Sequence, residues 1–164
     1  MPSRRKTREF VLQVLFAADA RQQDPLEALE FLESHFHGDD DEELKLHRVM
    51  KDFARQLVAA VSKDQAIIDG LISKLSHNWK LYRINRVDRN ILRMAIAEMT
   101  SFPEIPGRVV LNEAIEIGKK YGAENSAAFI NGILDRIHML EPRPRSTEEL
   151  QKSLTELDQN SSTD

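Results

Sequence analysis

An all-α fold is predicted by three features of the sequence. Apolar residues recur at the 3.6-residue period of an amphipathic helix in nearly every stretch that carries them. No segment alternates polar and apolar residues as a half-buried strand would. Prolines, glycines and capping residues divide the chain into about seven helices with short connections, adjacent helices packing antiparallel. With 164 residues, 41% of them hydrophobic, the chain is expected to form one domain or two small subdomains that share a core.

The first helix is predicted over Thr7 to Ala20, with Phe10, Val11, Val14, Leu15 and Ala18 on one face. Arg4 and Arg8 are four apart and Arg5 and Arg8 three apart, so they share a flank at its start. Cations there oppose the helix dipole. Either this is an ordinary solvated N-terminus, or a polyanion favours them. Asp24 and Pro25 open a second helix as N-cap and first residue, with Leu26, Leu29, Phe31 and Leu32 inward. A third, Glu42 to Val61, repeats Leu46, Met50, Phe53, Leu57 and Val61. Ser62 to Asp64 breaks it, and Asp64 caps a fourth with Ile67, Ile68, Leu71, Ile72 and Leu75 inward.

Ser76-His77-Asn78 ends that helix, and a basic connector follows with Trp79, Leu81 and Ile84 as apolar anchors. An indole in a connector that carries Lys80 and Arg83 can stack a base, but a core anchor is the commoner use of a lone Trp. The fifth helix, Val87 to Met99, is apolar almost all round from Leu92 onward, so it belongs inside the bundle. Pro106 suits the first turn of a sixth helix that runs to Tyr121, where Gly122 is the expected left-handed cap. The seventh begins at Glu124 to Ser126 and puts Phe129, Ile130, Ile133, Leu134 and Ile137 inward. Inside it, Gly132 is expected to permit close helix approach, and Asn131 to hydrogen-bond Asn112 or Glu113 as a buried amide. Pro142 and Pro144 stop helix propagation, so residues 141–164 are read as a disordered tail after a helical domain of residues 1–140.

Net charge is −4, which argues against a generally basic coat. Its distribution is informative. Residues 1–23 carry five cations against two carboxylates, residues 27–43 eight carboxylates and no Lys or Arg, and residues 74–93 six cations against Asp88 alone. Two basic segments separated by an acidic one can make one basic face, as phosphate binding requires.

Several chemistries find no support. There are no cysteines, hence no disulfide framework or thiol chemistry. The acidic run Asp39 to Glu43 beside His35 and His37 lacks the Gly and terminal Glu of an EF-hand loop, so no metal site is expected. No Gly-rich phosphate loop, Gly-x-Ser-x-Gly or His-Glu-x-x-His occurs, and no enzyme or cofactor is expected. The N-terminus lacks a signal-peptide core and no stretch is long enough to span a membrane, so a cytoplasmic protein is expected.

Several motifs carry a resemblance. Arg83-Ile84, Val87-Asp88-Arg89-x-Ile91-Leu92-Arg93, Ile105-Pro106 and Val110-Leu111-Asn112-Glu113-Ala114 are followed by Tyr121-Gly122-Ala123-Glu124 and Phe129-Ile130-Asn131-Gly132-Ile133-Leu134-Asp135. In order and spacing they resemble the NusB family, bacterial transcription antitermination factors, and Arg4-Arg5, Arg8-Glu9 and Gln13-Val14-Leu15-Phe16 resemble its arginine-rich opening helix.

The resemblance covers about Ser3 to Ile137 and implies a compact bundle of two packed subdomains. It implies a non-catalytic factor that binds the boxA element of ribosomal RNA leader transcripts with NusE, a small-subunit ribosomal protein. NusA, NusG and RNA polymerase are then partners in the larger complex that suppresses premature termination. Carried over residue by residue, RNA contacts fall on Arg4, Arg5 and Arg8 with Lys6 added, and on Asn125 and Phe129. Lys80 and Arg83 of the basic connector join them as candidates. Asn125 departs from the acidic residue common there, which should raise RNA affinity modestly. The NusE-facing positions are Phe16, in place of the usual Tyr, and Asp88. Asn112, Glu113, Asn131 and Gly132 are assigned to the interior. A protein-only helical adaptor is the alternative, and the resemblance leaves open whether the free protein forms a homodimer.

Overall fold

A computed structural model describes residues 4–35, 51–77 and 79–162. Among them are seven α-helices and one 3-10 turn: α1 (Arg4–Arg21), α2 (Pro25–His35), α3 (Lys51–Leu75), the turn Leu81–Arg83, α4 (Arg86–Ser101), α5 (Gly107–Tyr121), α6 (Ser126–His138) and α7 (Thr147–Ser161). No strand occurs among the described residues. The acidic run Asp39 to Glu43 and the start of the predicted third helix lie outside them. The chain divides into two compact units, Met1–Lys63 and Asp64–Asp164.

In the first unit, α1 and α2 pack together, and Val11, Val14 and Leu15 of α1 and Ala28 and Leu29 of α2 are buried. Asp24 caps α2 as its sequence suggests, accepting a hydrogen bond from the Leu26 backbone N–H at 2.9 Å. The same oxygen accepts from the Ser62 hydroxyl of α3 at 2.7 Å, and Arg55 of α3 pairs with Glu33 of α2 at 2.9 Å.

The break expected at Ser62 to Asp64 is a kink and not a loop. One residue, Asp64 (φ −116°, ψ 19°), leaves helical geometry while α3 continues on both sides. The unit boundary falls at that residue.

The second unit is built around α4, where every residue from Asn90 to Thr100 is buried. Its start is a reciprocal cap. The Asp88 N–H donates to Asn85 Oδ1 at 2.8 Å, and Asn85 Nδ2 donates to Asp88 Oδ2 at 2.9 Å. The two charges in its interior are also buried; Arg93 is held by Asp69 and Asn90. Helices α5 and α6 pack against α4 and against each other.

Three expectations fail here. Gly122 caps α5 with φ −89°, in ordinary extended territory, and a side chain there would strike Ser126 and the Gly118 carbonyl. Crowding, not left-handed backbone, suits glycine to this position. Asn112, Asn131 and Gly132 are exposed and Glu113 half-buried, and a Cβ on Gly132 would meet nothing within 4 Å. Their motif therefore lies on the surface and not between helices. The segment read as a disordered tail contains α7, capped by Ser146, whose hydroxyl accepts from the Glu149 N–H at 3.1 Å. Leu150 and Leu154 of α7 are buried, and the helix packs on α4. Ahead of it, Arg143 donates to the carbonyls of Met99 (3.0 Å), Phe102 (3.3 Å) and Ile105 (2.6 Å). Two buried leucines one turn apart, the buried Thr147 and the Arg143 hydrogen bonds tie down a segment whose composition is otherwise polar.

Candidate nucleic-acid interface

In the first unit the basic N-terminus is the opening turn of α1. Arg4, Arg5 and Lys6 are exposed there. Arg8 is not: only 3% of it is accessible. The guanidinium groups of Arg4 and Arg8 lie over the Phe53 ring of α3, 4.8 and 5.7 Å from its centroid. The shared flank predicted from spacing exists, then, but it faces an aromatic ring that holds the two cations by cation–π attraction. Arg8 is better placed to position this turn than to meet a ligand. Further along α1, Phe16 leaves an apolar ring partly in water.

In the second unit, segments about fifty residues apart in sequence meet. The Trp79 and Phe129 rings lie 6.4 Å apart between centroids, inclined at 31°, within the range of favourable aromatic pairs. This contact sets the basic connector beside the start of α6. Asn125 is the N-cap residue of α6, is exposed, and makes no side-chain capping bond; Ser126 instead ties down the preceding turn, its Oγ accepting from the Ala123 N–H at 2.8 Å. The Asn125 amide is thus available to a ligand one turn from Phe129. Lys80 and Arg83 are exposed, and neither is in an ion pair among the described residues.

Trp79 overturns the expectation of a core anchor, being 55% exposed, and Tyr82 is 70% exposed. Sequence reasoning passed over Tyr82. The signal was there: an aromatic flanked by Leu81 and Arg83 in a connector without carboxylates.

Asp88 is only 4% exposed, and its second carboxylate oxygen has no hydrogen-bond partner. It is first of all the partner of Asn85 in capping α4. No group of His, Asp or Glu that could hold a metal ion occurs among the described residues, and no described helix is long and apolar enough to cross a membrane.

The fold and sequence are similar to those of known proteins. The model of the NusB family matches residues 5–139. The chain belongs to the NusB family. A transcription antitermination protein NusB of Desulfatibacillum aliphaticivorans is 44% identical over 139 residues, 85% of this chain and 92% of that protein. Among solved structures, T. maritima NusB superposes with a TM-score of 0.70 at 38% identity, over 91% of this chain and 97% of that one. A structure described as antitermination factors NusB and NusE in complex with dsRNA matches with a TM-score of 0.65 at 27% identity, over 82% of this chain and 95% of that one. The family model's match ends at residue 139, so Arg143 and α7 lie beyond the residues it covers.

Proposed function

We propose that this chain is a transcription antitermination factor that binds boxA RNA of ribosomal RNA leader transcripts together with NusE. In the cytoplasm the pair joins NusA, NusG and RNA polymerase and suppresses premature termination. The role needs binding and not catalysis. Exposed cations on α1 and on the 79–83 connector contact phosphates, while base edges and ring faces near Asn125 and Phe129 give preference for sequence. Phe16 offers NusE an apolar contact, and Asp88 acts from the start of α4, where its buried charge and its cap with Asn85 shape the surface that NusE meets.

The observation that carries this reading is the Trp79–Phe129 contact, which joins the basic connector to the Asn125–Phe129 turn in a single surface. A gel shift with boxA RNA, with and without NusE, tests it. With four or five phosphate contacts on single-stranded RNA, raising salt fourfold should weaken binding on the order of 10- to 100-fold. Binding indifferent to salt would remove the phosphate contacts, and a scrambled RNA bound equally well would remove the boxA preference. The combined variant Arg4→Ala, Arg5→Ala and Lys6→Ala should lose most RNA affinity while keeping NusE. A protein-only adaptor would be unmoved by it.

A further inference from the structure

Large aromatic side chains left in water forfeit apolar burial, so two of them three positions apart in one anchored segment point to a ligand. Trp79 and Tyr82 are such a pair, 55% and 70% exposed. Their segment is held at both ends. The Ser73 hydroxyl of α3 donates to the Trp79 carbonyl at 2.8 Å. Beyond it the Arg83 and Ile84 N–H groups close the turn onto the Lys80 and Leu81 carbonyls at 2.9 and 3.1 Å. The Ile84 side chain is buried, and its carbonyl accepts from Arg89 at 3.3 Å. The rings are thus displayed by a turn anchored in the core. Around them Lys80, Arg83 and Arg86 are exposed, and no carboxylate lies between Leu75 and Val87.

Flat apolar faces alternating with cations match a chain of planar bases on a phosphate backbone. A duplex keeps its bases stacked inside, out of reach of such rings. We propose that Trp79 and Tyr82 form a base-stacking subsite for single-stranded RNA, extending the path of the strand beyond Phe129 along the basic connector. The inference rests on the RNA-binding reading above and adds to it the chemical form of the ligand at this subsite.

Trp79 is the single tryptophan of the chain, so indole emission reports on this residue, and Tyr82 variants separate the new subsite from Phe129 beside it. The full chain is titrated with single-stranded boxA RNA and with the same sequence as a duplex, following indole emission and the anisotropy of an end-labelled RNA in parallel. The single strand should quench Trp79 over the same concentrations that raise anisotropy, and the duplex should not quench it. Tyr82→Ala should weaken single-strand binding by about 5- to 100-fold, the range of one lost base stack, and Tyr82→Phe should restore it. Because Tyr82 is on the surface, a circular-dichroism melt should be unchanged in both variants. If anisotropy rises while Trp79 emission stays constant and Tyr82→Ala binds normally, the subsite is refuted and RNA binding stands. If neither signal moves, RNA binding itself fails. Quenching by NusE without RNA, and none by RNA, would make the patch a protein-docking surface and overturn the proposal.

Discussion

Arg93 of α4 and Asp69 of α3 form a two-pronged ion pair, Nε to Oδ1 at 2.7 Å and Nη2 to Oδ2 at 3.0 Å, with side chains 6% and 22% exposed. The third arm of the guanidinium donates to Asn90 Oδ1 at 2.9 Å. In the sequence Arg93 belongs to the basic run 74–93, yet the fold turns it inward, so its charge is unavailable to RNA. Asp69→Ala removes both carboxylate oxygens of the pair from a buried guanidinium and should cost about 3–5 kcal/mol. Arg93→Met combined with Asp69→Leu should recover most of that loss. Urea unfolding with an unchanged m-value checks both; a mild Asp69→Ala would mean that water reaches the pair.

The cap shared by Asn85 and Asp88 separates stability from partner binding. Asn85→Ala removes the oxygen that accepts the Asp88 N–H and should cost about 1 kcal/mol, leaving NusE affinity intact. Asp88→Asn keeps shape while removing charge, and should weaken NusE binding with little change in melting temperature. Should both variants lose NusE only in proportion to their stability, Asp88 is a helix cap and nothing more.

Two glycines should respond oppositely to alanine. Gly132 sits exposed in the middle of α6 with open space where a Cβ would go. Gly132→Ala should raise stability by about 0.5–1 kcal/mol through helix propensity. Gly122→Ala must displace Ser126 or the backbone, and should destabilise by about 1–3 kcal/mol, as overpacking does. Thermal melts of the two single variants decide the matter; a destabilised Gly132→Ala would point to a hidden constraint at Asn131-Gly132.

Asn125 tests electrostatics at the RNA surface. Asn125→Asp places a carboxylate beside the α6 N-terminus, where the helix dipole welcomes it, but near phosphates it repels. One charge pair at 4 Å in water is worth about 1 kcal/mol, so boxA affinity should fall about fivefold at low salt. The difference should shrink as salt is added. Equal affinities at low salt would place Asn125 away from the strand.

Helix α7 depends on two leucines. Leu150→Ala or Leu154→Ala should cost up to about 2–5 kcal/mol. A fifteen-residue helix is marginal in water by itself, so losing its docking should also lower helical circular dichroism. Stability lost with helicity unchanged would show that α7 stays folded against α4 despite the cavity.

What the sequence made legible was whatever depends on neighbours along the chain. The burial of Leu92 to Met99 could be read because the run is apolar on almost every side. The Asp24 cap and the helical bounds of α5 and α6 were equally local. Agreement on seven helices conceals compensating differences: the third and fourth predicted helices join across Asp64, and α7 appears in the supposed tail. Contacts between distant residues were out of reach. Nothing local says that Phe129 stands beside Trp79, that Phe53 lies under Arg4 and Arg8, or that Asn131 looks outward. The candidate site depends on those contacts, and its residues could be proposed singly but not assembled.

The end of α4 is completed from far away. Met99 offers one of the carbonyls that a helix terminus leaves without an internal partner, and its donor is Arg143, forty-four residues downstream. A ribosome delivers residues in order, at about 5–20 per second. During synthesis the Met99 carbonyl therefore lacks this donor until Arg143 has been added. The C-terminal turn of α4 is thus completed by a side chain from outside the helix, and not by α4 itself.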